Sequence, residues 1–212
     1  VKFDVDIPED VRASALTLRR KLAGRPVWIA GSTHGSENDQ LLVAHEQVLQ
    51  EHPDALLILV PRHPDRFEPV AEKAVKEGLT LARRSRGDDP AQAQVYLGDT
   101  MGELMMLYGA SDLAFVGGSL IERGGHNPLE PAGWGIPVFS GPYIFNFETI
   151  YQRLLDDRGV KLVADADELA AHVSSLFSDE QEREAIGRRA LEVVNKNRGA
   201  LDKVVDGIIE RV

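Results

Sequence analysis

Between Leu113 and Pro131 the chain reads Leu-Ala-Phe-Val-Gly-Gly-Ser-Leu-Ile-Glu-Arg-Gly-Gly-His-Asn-Pro-Leu-Glu-Pro, and no other stretch limits the fold as much. The apolar run Leu113 to Val116 has the length of a buried strand, and Gly117-Gly118-Ser119 ends it, with side chains missing where another group can approach the backbone. Further on, Asn127 suits a helix N-cap, Pro128 the first helical position and Glu130 the third, from which a carboxylate can reach back to the cap. Strand, glycine loop and helix start in that order predict an α/β unit. Its crevice lies at the carboxyl ends of parallel strands, where free N–H groups and the helix dipole attract an anion.

The same unit recurs along the chain. A surface helix over Pro8 to Leu22 leads to a strand at Val27-Trp28-Ile29-Ala30, a Gly31-Ser32-Thr33-His34-Gly35 loop and an amphipathic helix from Glu37 to His52. The run Ala55 to Val60 is apolar almost throughout, as a parallel strand covered on both faces must be, and it stops at Pro61-Arg62-His63-Pro64. A helix to Glu77, ended by Gly78, precedes a strand at Leu79 to Ala82, a polar surface loop over Arg83 to Gln92 and a strand at Gln94 to Leu97. After the glycine stretch come strands at Val138 to Ser140 and Val160 to Val163, a helix from Phe147 to Asp157, and helical text from Ala166 onward with breaks near Ser178 and Gly199. Strands alternating with helices over short connections predict right-handed crossovers and a doubly wound parallel sheet.

Composition excludes several classes. A net charge of −10 argues against a dedicated nucleic-acid binder, which holds phosphates mainly with excess Lys and Arg. With no cysteine there is no disulfide, thiolate metal site or thiol nucleophile. No apolar run approaches the roughly 20 residues of a membrane span, and the opening Val1-Lys2-Phe3-Asp4, without an initiator Met, leads us to expect a fragment of a longer chain.

Four strand-to-helix loops carry unusual residues, and in a doubly wound sheet all four leave the same edge. Ser32, Thr33 and His34 offer hydroxyls and an imidazole, although a glycine turn with a helix cap explains them as well. Arg62, held between Pro61 and the later Pro64, suits a guanidinium aimed at a phosphate or a base edge, or one paired with Asp65. Thr100-Met101-Gly102-Glu103 forms a complete capping box and would place backbone donors at a helix start. Glu130 has two readings, a cap or an acceptor for a ribose hydroxyl. Two glycine pairs, Gly117-Gly118 and Gly124-Gly125, exceed what a cap alone needs and favour a nucleotide site. Other signals are discounted. There is no Gly-x-Gly-x-x-Gly or P-loop fingerprint, Asp165-Ala166-Asp167 reads as a helix cap, the histidines lack metal-binding spacing, and Met105, Met106 and Leu107 read as core.

These residues resemble the bacterial 3-deoxy-D-manno-octulosonic acid (Kdo) transferases. The resemblance is carried by Lys2-Phe3-Asp4, Ser32-Thr33-His34, Val60-Pro61-Arg62-His63-Pro64, Gly98-Asp99-Thr100-Met101-Gly102-Glu103-Leu104, Phe115-Val116-Gly117-Gly118-Ser119 and Glu122-Arg123-Gly124-Gly125-His126-Asn127-Pro128-Leu129-Glu130, and it spans nearly the whole chain. It implies the donor-binding, Rossmann-like half of a GT-B glycosyltransferase that moves Kdo from CMP-Kdo to the lipid A precursor. CMP would be held by Pro61 and Arg62, by Met101, Gly102 and Glu103, and by Asn127, Pro128, Leu129 and Glu130, with Ser32, Gly117, Gly118 and Ser119 as candidate donor-site contacts. Lys2 would stabilise charge on the leaving phosphate.

The resemblance further implies that a general-base glutamate, the acceptor surface and an anchor to the cytoplasmic face of the inner membrane belong to an amino-terminal domain outside this chain. It implies no metal and no cofactor. Residues 1–22 would then be linker and surface helix, and residues 23–212 the CMP-sugar-binding domain with its carboxyl-terminal helices. One departure stands out: Ser36 and Asn38 replace the family's glycine and glutamate, while Ser32 and Glu37 match. Two rival readings share the crevice, a GT-B nucleotide-sugar epimerase or hydrolase and a non-catalytic nucleotide-binding module.

Overall fold

The computed structural model describes residues 5–209, with side chains through residue 198. Seven strands form one sheet: β1 (Val27–Thr33), β2 (Leu56–Pro61), β3 (Leu81–Arg83), β4 (Val95–Leu97), β5 (Leu113–Val116), β6 (Val138–Ser140) and β7 (Val160–Leu162). Their order is β3-β4-β2-β1-β5-β6-β7 and every pairing is parallel. The expected doubly wound sheet is therefore present. After β4 the chain crosses to the other side of β1, so the direction of winding reverses between β1 and β5, and a crevice opens there.

Helices cover both faces, which is why β1 and β2 are buried along their whole length. Trp28 and Ala30, with Leu57, Leu59 and Phe115, pack on the layer of α2 (Glu37–Glu51), α3 (Phe67–Lys76) and α7 (Ala166–Phe177). Val27, Ile29, Ile58 and Ala114 alternate to the other face, against α1 (Glu9–Lys21) and α4 (Leu104–Gly109). Farther along that face Val116, Val138 and Val160 meet α5 (Leu129–Gly133), α6 (Glu148–Asp156) and α8 (Glu180–Ile209). The boundary expected after Leu22 marks no change in packing. Ala15, Leu18 and Leu22 sit in the same core cluster as Ile29 and Tyr108, and Arg19 donates to the carbonyls of Gly109 and Ser111.

Four local expectations need correction. The third strand begins at Leu81 rather than Leu79 and takes in Arg83, because Asp99 pairs with the buried guanidinium at 2.8 Å. The polar loop after it contains two 3-10 turns, Arg84–Arg86 and Pro90–Gln92. Thr100 to Glu103 is no capping box: α4 begins only at Leu104, and the Thr100 hydroxyl donates to the Glu103 carboxylate at 2.6 Å instead of capping a backbone amide. No break occurs at Gly199, since α8 runs on to Ile209. The cap at Asp165 is as expected, with its carboxylate accepting from the Glu168 amide at 2.9 Å.

Candidate functional site

The four loops singled out in the sequence leave β4, β2, β1 and β5, four consecutive strands of the sheet, and so line one continuous edge. Beneath it lies the best-satisfied group of the region. Glu37, at the start of α2, is fully buried, and its carboxylate accepts from the amides of Gly118 (2.8 Å), Ser119 (3.0 Å), Leu120 (3.0 Å) and His34 (3.3 Å). Burial raises its pKa while the four N–H groups pull against that rise. Both oxygens face donors and a carboxyl proton would find no acceptor, so the group is held as a carboxylate.

This corrects the expectation that the glycine loop offers free amides. Those of Gly118 and Ser119 already hold an anion, and it is the protein's own. Gly117 has no side chain because a Cβ there would strike the Ser32 carbonyl, and its amide donates to the Gly31 carbonyl at 2.7 Å. Ser32 sits in left-handed backbone at φ +55°, a strained conformation for a non-glycine residue, and its hydroxyl has no hydrogen-bond partner among the described residues.

Above Gly118, three imidazoles gather from three loops. His34 Nε2 and His126 Nε2 are 2.6 Å apart with their rings parallel to within 5°, and His63 meets His34 edge-on at 5.3 Å. Burial first, then His126, His63, Arg123 and Arg62, lower the His34 pKa to about 4, and burial with Arg62 and His63 lowers that of His126. Arg62 itself is exposed, its amide donates to the Thr33 carbonyl at 2.9 Å, and among the described residues it forms no ion pair, with Asp65 or otherwise. Among the described residues no group of three or more His, Asp or Glu side chains could hold a metal ion.

At the β5 end, α5 starts one residue later than expected. Pro128 stands at the cap, and Asn127 Oδ1 accepts from the Leu129 amide at 2.9 Å, so Asn127 does close the helix start. Glu130 does not reach back to it. Its carboxylate is half-buried, accepts no hydrogen bond among the described residues, and has its pKa raised by burial. The cap reading of Glu130 is thereby excluded. Next to it is the fully buried Tyr108, whose pKa is raised by burial and then by the Glu130 charge.

At the β4 end, Met101 and Gly102 form an exposed turn, with Gly102 at φ +80°. Glu103 accepts from two nitrogens of Arg84, Nε at 2.9 Å and Nη2 at 2.8 Å, and from the Thr100 hydroxyl. Its side chain is thus occupied, and what the turn presents outward is backbone. Lys2 falls outside the described residues. Asn38, the departure from the family pattern, accepts from Thr33 and donates to the Gly35 carbonyl at 3.0 Å, holding the loop after β1.

Sequence reasoning missed the Glu37 seal, the Arg83–Asp99 and Arg84–Glu103 pairs and the His34–His126 contact. Each joins residues far apart in the chain, and no local spacing announces them. The one available signal was a glutamate in the first turn of a helix that follows a glycine loop.

No family model matches the chain. It is 44% identical over 209 residues to the 3-deoxy-D-manno-octulosonic acid transferase of Haemophilus influenzae, covering 97% of this chain and 49% of that protein. With the Bordetella pertussis enzyme of the same name the identity is 34% over 217 residues, covering 98% and 50%. The chain therefore spans about half the length of the curated relatives it matches. Among solved structures, the C-terminal CMP-Kdo binding domain of WaaA from Acinetobacter baumannii superposes with a TM-score of 0.84 at 36% identity, covering 88% of this chain and 99% of that one. A Francisella tularensis glycosyl transferase domain, LpcC, shares the fold at a TM-score of 0.61 and 17% identity. The fold is that of a GT-B glycosyltransferase domain. The chain belongs to the 3-deoxy-D-manno-octulosonic acid transferase family and matches the domain that the Acinetobacter structure isolates.

Proposed function

We propose that this chain is the CMP-Kdo-binding domain of an enzyme that transfers Kdo to the lipid A precursor. The observation that carries the reading is Glu130, a half-buried carboxylate that accepts no hydrogen bond among the described residues, on the segment that the family resemblance assigns to CMP. A carboxylate withdrawn from water and left unpaired is unfavourable unless a ligand donor completes it. Ribose hydroxyls are such donors. Arg62, exposed and without a counter-ion among the described residues, would take the phosphate, and the backbone of Met101, Gly102 and Glu103 would meet the cytosine edge. Asn127, Pro128 and Leu129 would position Glu130, while Ser32, Gly117, Gly118 and Ser119 would border the sugar.

The chemistry would proceed with residues beyond the described ones. A glutamate elsewhere in the whole enzyme would deprotonate an acceptor hydroxyl, which attacks the anomeric carbon of Kdo as CMP departs, and Lys2 would offset charge on the phosphate. The lipid acceptor and the cytoplasmic face of the inner membrane would be met by that other part. No helix among the described residues is long and apolar enough to cross a membrane.

Glu130→Gln keeps the shape and removes the charge. Calorimetric titration should show CMP affinity falling by about 10- to 100-fold, the loss of one charge-assisted hydrogen bond. Cytosine, which lacks the ribose, should bind the variant as it binds the wild type. The melting point should stay level or rise slightly, because burial disfavours the charge being removed. Unchanged CMP affinity would refute the assignment.

A further inference from the structure

The glycine loop cannot serve a ligand oxyanion through the amides of Gly118, Ser119 and Leu120, since Glu37 occupies all three. Any oxyanion above it must find its charge elsewhere. What stands there is the His34–His126 pair, flanked by His63, Arg62 and Arg123, and among the described residues neither arginine has a carboxylate partner. The loop makes room for it: a Cβ on Gly118, at φ +70°, would lie 3.1 Å from His126 Cδ2 and 3.3 Å from His34 Cδ2. In a chain of net charge −10, this concentration of basic groups has the character of a site for an anion.

The contact between the imidazoles has a chemical consequence. Two Nε2 atoms 2.6 Å apart share one hydrogen, so one neutral ring donates and the other accepts. Whichever ring donates at Nε2 has a bare Nδ1, and neither Nδ1 has a hydrogen-bond partner among the described residues. A proton can therefore enter at Nδ1 without breaking the internal bond. The pair becomes a cation and gains an N–H for an incoming oxygen.

From this geometry we propose that the His34–His126 pair is a proton-coupled oxyanion seat, which takes up one proton from solvent as a phosphate or sugar-carboxylate oxygen of the nucleotide-linked sugar settles beside it. The groups facing the pair are His63, Arg62 and Arg123, all basic, with Glu37 beneath accepting from the His34 amide. In the absence of ligand, burial first and then repulsion from the basic groups keep the pair neutral, His34 having a pKa of about 4. An anion offsets that repulsion and raises the pKa, so binding tightens as pH falls. The inference rests on the nucleotide reading above.

The test is titration calorimetry of this chain between pH 7.5 and 6.0, in buffers of different ionisation enthalpy that report proton uptake. Three ligands are used: cytidine, the methyl ester of CMP, and CMP-Kdo. Neither the phosphodiesters nor the sugar carboxylate titrates in that window. We expect affinity to rise about fivefold toward pH 6.0 with uptake of up to one proton, as linkage requires of a group whose bound-state pKa enters the window. A gain with the methyl ester assigns the seat to phosphate, and a gain with CMP-Kdo alone assigns it to the sugar carboxylate. His34→Gln and His126→Gln keep a polar group near Nε2 but cannot titrate, and each should flatten the pH profile, whereas His63→Gln should leave the slope in place.

The proposal is overturned if no ligand shows uptake, if cytidine shows the same uptake, or if only His63→Gln abolishes it. Failure of the wild type to bind any of the three ligands would refute the nucleotide reading itself. Binding without proton uptake would refute this inference alone.

Discussion

Two parts of the same sheet edge look alike in sequence and differ in the structure. The glycine loop after β5, with Gly118, Ser119 and Leu120 closed over Glu37, is complete: a buried charge with every oxygen bonded. A few residues on, Asn127 to Glu130 carries a carboxylate of the same type, half-buried and without a hydrogen bond among the described residues. A satisfied buried charge holds two loops together and has nothing left to offer. An unsatisfied one is where, on the proposed reading, a ligand would belong. The difference separates scaffold from site more sharply than glycine content does.

The largest expected effect breaks the sealed side. Glu37→Gln replaces one acceptor oxygen by an amide nitrogen that must face an N–H donor, leaving a buried polar group unsatisfied. Stability should fall by about 2–4 kcal/mol, the cost of losing charge-assisted bonds and orphaning a donor. Urea denaturation of Glu37→Gln and Glu130→Gln side by side makes the comparison direct. The first should lose stability and the second should lose ligand. If the two variants had equal midpoints, the distinction between seal and site would be wrong.

The strands were legible because each is a short apolar run covered on both faces, and the order strand, loop, helix then leaves little freedom of topology. Less was legible where the decisive partner is remote. Arg83 reads as loop in the sequence and is strand in the structure because Asp99 neutralises it. Thr100 and Glu103 have the spacing of a capping box, yet Arg84 draws the carboxylate away from the backbone. The loops of the candidate site were visible from their residues. That Glu37 had closed one of them was not, because 81 positions separate it from Gly118.

A second prediction sharpens the comparison with two histidines. His45 and His34 both have pKa values lowered to about 4, each with burial as the leading cause. His45 is sealed: Nδ1 accepts from Trp28 Nε1 at 3.0 Å, leaving Nε2–H to donate to the Gln94 carbonyl at 2.7 Å. In the unfolded chain a histidine takes its proton near pH 6.5, whereas folded His45 resists until about 4. Its contribution is thus intact above pH 6.5 and is lost as pH falls from there through 4, to a total of about 3 kcal/mol. Denaturation midpoints across that range should fall accordingly. In NMR titrations CMP-Kdo should move the His34 transition and leave that of His45 in place. A ligand-induced shift of His45 would mean that the sealed core communicates with the edge after all.

The smallest effect is expected at the intermediate case. Arg84 grips Glu103 through two nitrogens and also donates to the Tyr96 hydroxyl at 3.1 Å, but both partners of the ion pair are about one-third exposed. Screened pairs of this kind contribute at most about 1 kcal/mol. Arg84→Lys keeps the charge and loses the fork, so one of the two bonds to Glu103 goes. Thr100 still holds the same carboxylate, and the turn at Met101 and Gly102 keeps its course. We expect stability to drop by less than about 1 kcal/mol. CMP affinity should change by less than about threefold, since the turn would present backbone, which the substitution leaves in position. Melting curves and CMP titrations of Arg84→Lys give both numbers. A tenfold loss of affinity at unchanged stability would move Arg84 to the open side of the comparison, as a group whose fork the ligand itself requires.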